Sequence, residues 1–384
     1  MTMRQQRGFS LIELLVSTSL TICVAAALFA AIHPAESVFN VQSEAADMQQ
    51  RLRVATSVLF KDLSMAGAGI DAGPGAGSLI DSVPPILPYR QALVGGDPPG
   101  TFRDDAITVM HVPSRAQTTI ADVMPARSGS VRVNIGFGCP MSDAACGLGS
   151  ASTVLVLGRY GVFDRFRIER VDGSLLDLQH TIDDSAQIHP AGSRIVEAEV
   201  HSYFLRTDIV TGHSQLVRED GDGRAAVPVV DHVVGLRFEY FGDPRPPEAP
   251  RPPDVAEQPT SYPPGESCLV ARGPLSEPLP RLSPLPPENG GGLIALTAAS
   301  LTDGPWCPDQ STANRYDADL LRVRRVAVTL RVESAADALR GPAGALFSRA
   351  GTSTSGNLWL PDLNLRFQVS PRNLLTPFTT GIAR

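Results

Sequence analysis

Arg7-Gly8-Phe9-Ser10-Leu11-Ile12-Glu13-Leu14-Leu15-Val16 opens an apolar run that continues to Ile32, interrupted by one acid, Glu13, and a few small hydroxyl residues. Residues 9–32 are enough to span a bilayer, because about 20 helical residues at about 1.5 Å each cover a hydrocarbon core of about 30 Å. Arg4 and Arg7 precede the run, so the positive-inside rule keeps the first residues cytoplasmic and sends the rest of the chain across the membrane. A secretory signal discarded after export is the alternative, with the small residues from Cys23 to Ala27 as its cleavage site. Glu13 argues against it. A carboxylate inside an apolar segment costs on the order of 3 kcal/mol at mid-membrane, so it needs a partner or a function.

The stretch from Arg7 to Val16 resembles the type III signal of type IV prepilins and pseudopilins: a short basic leader, a glycine before the cut, an aromatic first residue and a glutamate fifth in the mature chain. The resemblance implies that a membrane prepilin peptidase cuts between Gly8 and Phe9 and methylates the new amine of Phe9. The cut falls before the apolar run and leaves it on the protein. Physics supplies a reason for the arrangement. An ammonium at Phe9 lies one helical turn from Glu13, which neutralises it, or that of an adjacent subunit, in a low dielectric. Glu13 is therefore the expected assembly contact.

Beyond Pro34 the pattern becomes one-sided. Val41, Ala45, Met48, Leu52, Ala55, Leu59, Leu63 and Ala66 recur at threes and fours, while Asp47, Gln50, Arg51, Lys61 and Asp62 fall elsewhere on the wheel. Gly67, Gly69 and Gly73 end the helix. A kink or local break is expected at Pro34, later than the helix-bending proline that prepilins often carry. From Ala106 onward the chain reads as strands: Ala106 to Val112, Val131 to Ile135, Thr153 to Arg159, Phe163 to Val171 and Ile195 to Arg206. Residues 234–240 and 326–332 alternate apolar and polar, which predicts an antiparallel sheet with one buried face, backed by the second half of the helix. The expected organisation is a leader at 1–8, a pilin helix at 9–68 and a β-rich head at 69–384. The fold class is α+β, a long helix packed against an antiparallel sheet, with a proline-rich insertion over 244–316. Proline at the density of Pro244 to Asn289 favours extended or loop structure on the surface.

Five cysteines are present; Cys23 lies in the apolar run, and the even set Cys139, Cys146, Cys268 and Cys307 suits an oxidising compartment. Pairing Cys139 with Cys146 closes a short loop and leaves Cys268 with Cys307; zinc is the competing reading, though no C-x2-C pair or nearby histidine supports it. Asp220-Gly-Asp222-Gly resembles the start of a calcium loop, but Arg224 follows and no terminal glutamate closes it, so a hairpin turn is the expectation there. The glycines from Gly67 to Gly77 follow a helix and lack the lysine of a phosphate loop. His189, His201 and His213 are evenly spaced but fall on different turns and strands. No nucleophile elbow, metalloprotease helix or Walker loop appears, so the sequence implies neither an enzyme nor a cofactor. A net charge of −7 offers no basic field for nucleic acid.

The stalk ending at Leu59 to Gly69, the strands Val233 to Tyr240 and Val323 to Leu330, and the tail Val369 to Leu374 are similar to PilW-type minor pilins and the related J-type minor pseudopilins. The resemblance implies a single-pass inner-membrane protein with a periplasmic head, which later joins a fibre at the cell surface with other major and minor pilins. A pseudopilus subunit of type II secretion and a tip adhesin that uses the large head are the alternatives.

Overall fold

The computed structural model describes residues 10–69, 78–79, 83–91, 96–113, 116–135, 139, 143–158, 162–180, 187–221, 224–247, 249, 251–252, 254, 260–286 and 292–374, with only the backbone described over 31–37. It divides into two compact units, one of residues 1–50 and 333–363 and the other of residues 51–332 and 364–384. The fold is α+β: an N-terminal apolar helix and a large antiparallel β head.

Helix α1 (Leu11–Met65) is 55 residues long and runs through Pro34, where the sequence predicts a kink or break; the helix is not interrupted there. The pyrrolidine ring fixes φ near −65°, itself a helical value, and its cost of about 3 kcal/mol falls on one turn of a many-turn helix. In the first unit, Glu44 on this helix accepts a hydrogen bond from the Ala335 backbone N–H at 2.6 Å. Glu333, fully buried, pairs with the guanidinium groups of Arg340 and Arg349 and organises the loop that follows it. A buried carboxylate persists only when its lone pairs are taken up in this way.

In the second unit the last turns of α1 bury Ala55, Leu59, Leu63 and Ala66, residues four, four and three apart. Gly67 ends the helix with φ +76°, a left-handed conformation that glycine adopts without a Cβ penalty. Its N–H donates to the Met110 carbonyl at 3.1 Å, and the Val112 N–H donates to the Ala68 carbonyl at 2.9 Å. The helix stop is thereby hooked to a strand end.

That strand belongs to a five-stranded antiparallel sheet, which starts with β1 (Ile86–Leu87) and β2 (Ala106–His111). The chain then leaves to form a separate six-stranded sheet: β3 (Gln117–Thr119), β4 (Ser130–Arg132), β5 (Thr153–Leu157), β6 (Phe163–Asp172), β7 (Leu175–His180) and β8 (Arg194–Glu197), in the order β3-β8-β5-β6-β7-β4. Its two edge strands meet. An antiparallel bridge joins Ile120 to Val133, Ala121 N–H donates to Arg132 C=O at 2.8 Å, and Asn134 N–H donates to Thr119 C=O at 2.8 Å. The sheet thus closes into a small barrel, filled by Ile120, Val131, Val133, Val154, Val156, Phe166, Ile168, Leu176, Leu178 and Ile195. Closure leaves no edge exposed for pairing with another chain.

The chain returns as β9 (Glu199–Thr207), antiparallel to β2, and continues through β10 (Ser214–Glu219) and β11 (Val227–Asp231), completing the order β1-β2-β9-β10-β11. The single strand expected over 195–206 is two strands, which Ala198 divides between barrel and sheet. After β12 (Val233–Gly242) come the short strands β13 (Val270–Arg272), β14 (Pro278–Pro280), β15 (Ile294–Leu296), β16 (Trp306–Cys307) and β17 (Tyr316–Asp317), then β18 (Val323–Val332) and β19 (Leu363–Val369). A four-stranded sheet forms in the order β15-β12-β18-β19. The alternation over 234–240 and 326–332 matches the antiparallel pairing of β12 with β18, with Leu236 opposite Leu330 and Phe238 opposite Val328.

The stretch 244–316, read from its prolines as a surface insertion tied down by Cys268 and Cys307, is also packed into the head. It lends β15 to the edge of a sheet, its Cys307 and Tyr316 are buried, and Cys268 is disulfide-bonded to Cys307 with Cα atoms 5.2 Å apart. Arg322, at 1 % exposure, donates to the carbonyls of Pro244 and Ser283 at 2.9 and 2.7 Å. Asn314 donates to Asp164 on the barrel at 2.8 Å, and the same carboxylate bonds His189 at 2.8 Å. The carbonyls of Pro244 and Ser283 thus serve as acceptors for a buried donor, a use that composition does not reveal.

Candidate functional site

The apolar segment Leu11–Ala30 is long and apolar enough to cross a membrane, and none of it is buried within the protein. Its hydroxyl residues make no demand on the surroundings: Ser17 donates to the Leu14 carbonyl at 3.0 Å, Thr18 to Leu14 at 2.9 Å and Thr21 to Ser17 at 2.7 Å. A hydroxyl that returns its proton to its own helix leaves no orphan donor in an apolar medium.

Gly8 and Phe9 lie outside the described residues. Glu13 is described, and it has a local role that the sequence reading missed. The Glu13 backbone N–H donates to Ser10 Oγ at 3.3 Å, while the Ser10 backbone N–H donates to Glu13 Oε2 at 3.1 Å. This reciprocal pair is a capping box, and the spacing Ser10-Leu11-Ile12-Glu13 was its signal in the sequence. It satisfies two orphan N–H groups at the helix start and sets a carboxylate at the positive end of the macrodipole.

A second candidate site is a cleft of about 560 Å³ in the head, lined by Lys61, Asp62, His111, Glu199, His201, Arg218 and Asp220 among others. Strand register brings these residues together. Pairing places His111 opposite Glu199, Val109 opposite His201 and Tyr203 opposite Arg218, so Glu199, His201 and Tyr203, at steps of two along β9, share one face with His111 and Arg218. The end of α1 covers that face. His201 Nδ1 donates to Asp62 Oδ2 at 2.6 Å and the Tyr203 hydroxyl to the same oxygen at 2.5 Å. Nearby, Arg51 of the same helix reaches Asp231 on β11 at 3.2 Å.

Burial raises the Asp62 pKa, but the two hydrogen bonds and the charges of His201 and Arg218 outweigh it and hold the group below the ordinary aspartate value. An ionised Asp62 is an acceptor only, so His201 carries its proton on Nδ1 and turns Nε2 toward the cleft. Burial pushes His111 below its ordinary value, against the pull of Glu199. The sequence places Asp62 off the apolar stripe, yet it is 5 % exposed and bonded to the sheet. Tyr203 is driven far up, by burial first and by the Asp62 charge second.

Asp220, one of the two calcium candidates, is held by Arg218 Nε at 2.6 Å and lies 3.6 Å from His201 Nε2; Asp222 lies outside the described residues. The strands on either side of that turn, β10 and β11, pair antiparallel. Cys139 and Cys146 are bonded with Cα atoms 4.8 Å apart, and Cys23 is a free, exposed thiol on the apolar helix. His189 is fully buried against Asp164, while the His213 ring packs against His232 with centroids 4.3 Å apart and planes tilted by 45°. The three evenly spaced histidines thus occupy three separate places.

Residues 3–29 match the family described as the prokaryotic N-terminal methylation motif. No curated protein matches the chain. The motif and the apolar helix that follows it support a type IV pilin or pseudopilin, a structural rather than enzymatic class, and are consistent with a membrane-anchored pilin.

Proposed function

We propose that this chain is a minor pilin of the PilW-like kind. It is made with an eight-residue leader, cut between Gly8 and Phe9 by a prepilin peptidase, methylated on Phe9, and drawn from the inner membrane into a helical fibre with other pilins. The observation that carries this reading is the methylation motif over residues 3–29 joined to a helix, Leu11–Ala30, that buries no side chain within its own chain. An apolar rod exposed in this way needs lipid first and neighbouring helices later, and exchanging one for the other is an assembly step without covalent chemistry. Glu13 supplies the polar contact that fixes axial register, as polar groups do in other helical assemblies. The test is the intact mass and N-terminal sequence of the mature protein: a chain beginning at a methylated Phe9 is expected, and a chain beginning beyond Ile32 would sink the proposal. Loss of pili on deletion of the gene marks a pilus subunit, and loss of secretion with pili intact marks a pseudopilus.

A tip adhesin is the second reading, and the β9–β10 turn favours it. Ile209 and Val210 are 98 % and 88 % exposed there, on a loop fixed by hydrogen bonds from Val210 and Thr211 N–H to Asp208. Normal pili that fail to attach when both residues are changed to serine would support that role.

A further inference from the structure

The cleft beside the end of α1 gathers two imidazoles and a carboxylate in an arrangement that structural fastening alone does not require. His111 stands directly opposite Glu199 across the β2–β9 ladder, and His201 follows two residues later on the same face. One oxygen, Glu199 Oε2, lies 3.3 Å from His111 Nε2 and 3.9 Å from His201 Nε2. Donor atoms around a tetrahedral zinc ion are about 3.4 Å apart, as bond lengths of about 2.0–2.1 Å dictate. The His111 and His201 rings are edge-on with centroids 6.2 Å apart. Two imidazoles on one such ion put their centroids about 5–5.5 Å apart, so a closure of about 1 Å would seat it.

The surroundings are those of a metal-binding histidine. Asp62 accepts the proton on His201 Nδ1 at 2.6 Å, which fixes the tautomer and leaves Nε2 in the cleft, 3.6 Å from Asp220 Oδ1 and 3.9 Å from Glu199 Oε2; Tyr203 in turn holds the same Asp62 oxygen. This carboxylate–imidazole relay orients metal-ligating histidines generally. The Arg218 guanidinium is taken up by Asp220 at 2.6 Å, and Lys61 sits exposed at the rim.

We infer that His111 Nε2, His201 Nε2 and the Glu199 carboxylate form a site for one divalent transition-metal ion of the zinc type, with its fourth position open to the cleft. Two imidazole donors exclude calcium and magnesium, which take oxygen ligands. The inference is independent of the pilin reading.

The test uses the full-length chain in detergent, stripped with a chelator and titrated with Zn2+ by calorimetry, and with Co2+ by visible absorption. One Zn2+ per chain is expected, with a Kd at or below about 1 µM, together with the visible bands of four- or five-coordinate Co2+. His111→Gln and His201→Gln should each weaken binding about 100-fold, and Asp62→Asn about 10-fold. Glu199 is about half exposed, so Glu199→Gln keeps the fold and should still weaken binding at least 10-fold. His213→Gln, on the β9–β10 turn, should change nothing. The inference is overturned if Zn2+ binds no tighter than about 100 µM. Wild-type affinity in Glu199→Gln, loss of binding in His213→Gln instead, or equal competition by Ca2+ would overturn it as well.

Discussion

His201 Nδ1 donates to Asp62 Oδ2 across 2.6 Å, and this bond joins the last turn of the long helix to the middle strand of the five-stranded sheet. The Tyr203 hydroxyl shares the acceptor. Hydrogen bonds to a charged acceptor are worth about 1.5–3 kcal/mol each, and an orphaned buried donor adds its own penalty. Asp62→Ala should therefore destabilise the head by about 3 kcal/mol or more in denaturant unfolding followed by tyrosine fluorescence. The Asp62 pKa is held below its ordinary value of 3.8, so this stabilisation is present above that pH and is lost as pH falls through the lower folded value. Wild type and variant should converge in acid, and a gap that persists at the most acidic pH would refute the assignment.

The reverse sign is expected at Asp317 and Asp319, whose carboxylates lie within 4.8 Å of each other and of the Asp303 carboxylate. Burial first, then the neighbouring carboxylates, push Asp319 up to about 6 against the opposing pull of Arg322, and burial likewise raises Asp317. A raised folded value means stability that is complete below the unfolded pKa and drains away as pH rises through about 6. Asp303 is exposed and makes the smallest contribution to that push. Asp303→Asn should stabilise the head at pH 7–8 by about 0.5 kcal/mol or less, read as a small rise in melting temperature, and leave it unchanged at pH 4.

At the start of the helix, the capping box separates two roles of Glu13 that a simple deletion would confuse. Glutamine can serve the box as glutamate does, since its side-chain oxygen still accepts the Ser10 N–H. Glu13→Gln should keep the helix start and leader cleavage but lose at least about tenfold in fibre incorporation, because only the charge has gone. Ser10→Ala should cost about 1 kcal/mol of helix stability and leave incorporation near wild type. Immunoblots of sheared fibres against membranes read both. Equal incorporation of wild type and Glu13→Gln would remove Glu13 from the assembly contact.

Cys268 and Cys307 are 39 residues apart in sequence. Loop-closure entropy for a loop of that size gives about 4 kcal/mol. Cys268→Ser with Cys307→Ser should lower head stability by about that amount, measured by unfolding under non-reducing conditions. Deleting residues 244–289 should do more harm, because the buried Arg322 would lose both carbonyl partners, Pro244 and Ser283. A normally folded head after that deletion would contradict the packing described above.

Much of this architecture is legible in the chain. The apolar run with its single acid gives the membrane-compatible helix, the period-two pattern over 234–240 and 326–332 gives the pairing of β12 with β18, and Gly67 gives the helix stop. What escapes the sequence depends on register between distant segments. Thr119 and Arg132 close the barrel only because Ile120 and Val133 bridge, and short strands such as β3 and β4 are too brief for any periodic signal. His111 and His201 stand 90 positions apart in number, and only the ladder of β2 on β9 turns both to one face. Asp62 falls off the apolar stripe, and a helical wheel carries no sign of the tyrosine and histidine that bond it from the neighbouring sheet.

The barrel departs from β2 after His111 and rejoins at Glu199, and those two residues are partners in one ladder. Its entrance and exit are therefore a single doorway, about one strand spacing wide. A cassette grafted at such a doorway can be exchanged for a tight turn, or for another cassette, without shifting either flanking strand. The framework thereby accepts new modules where the old one was spliced in.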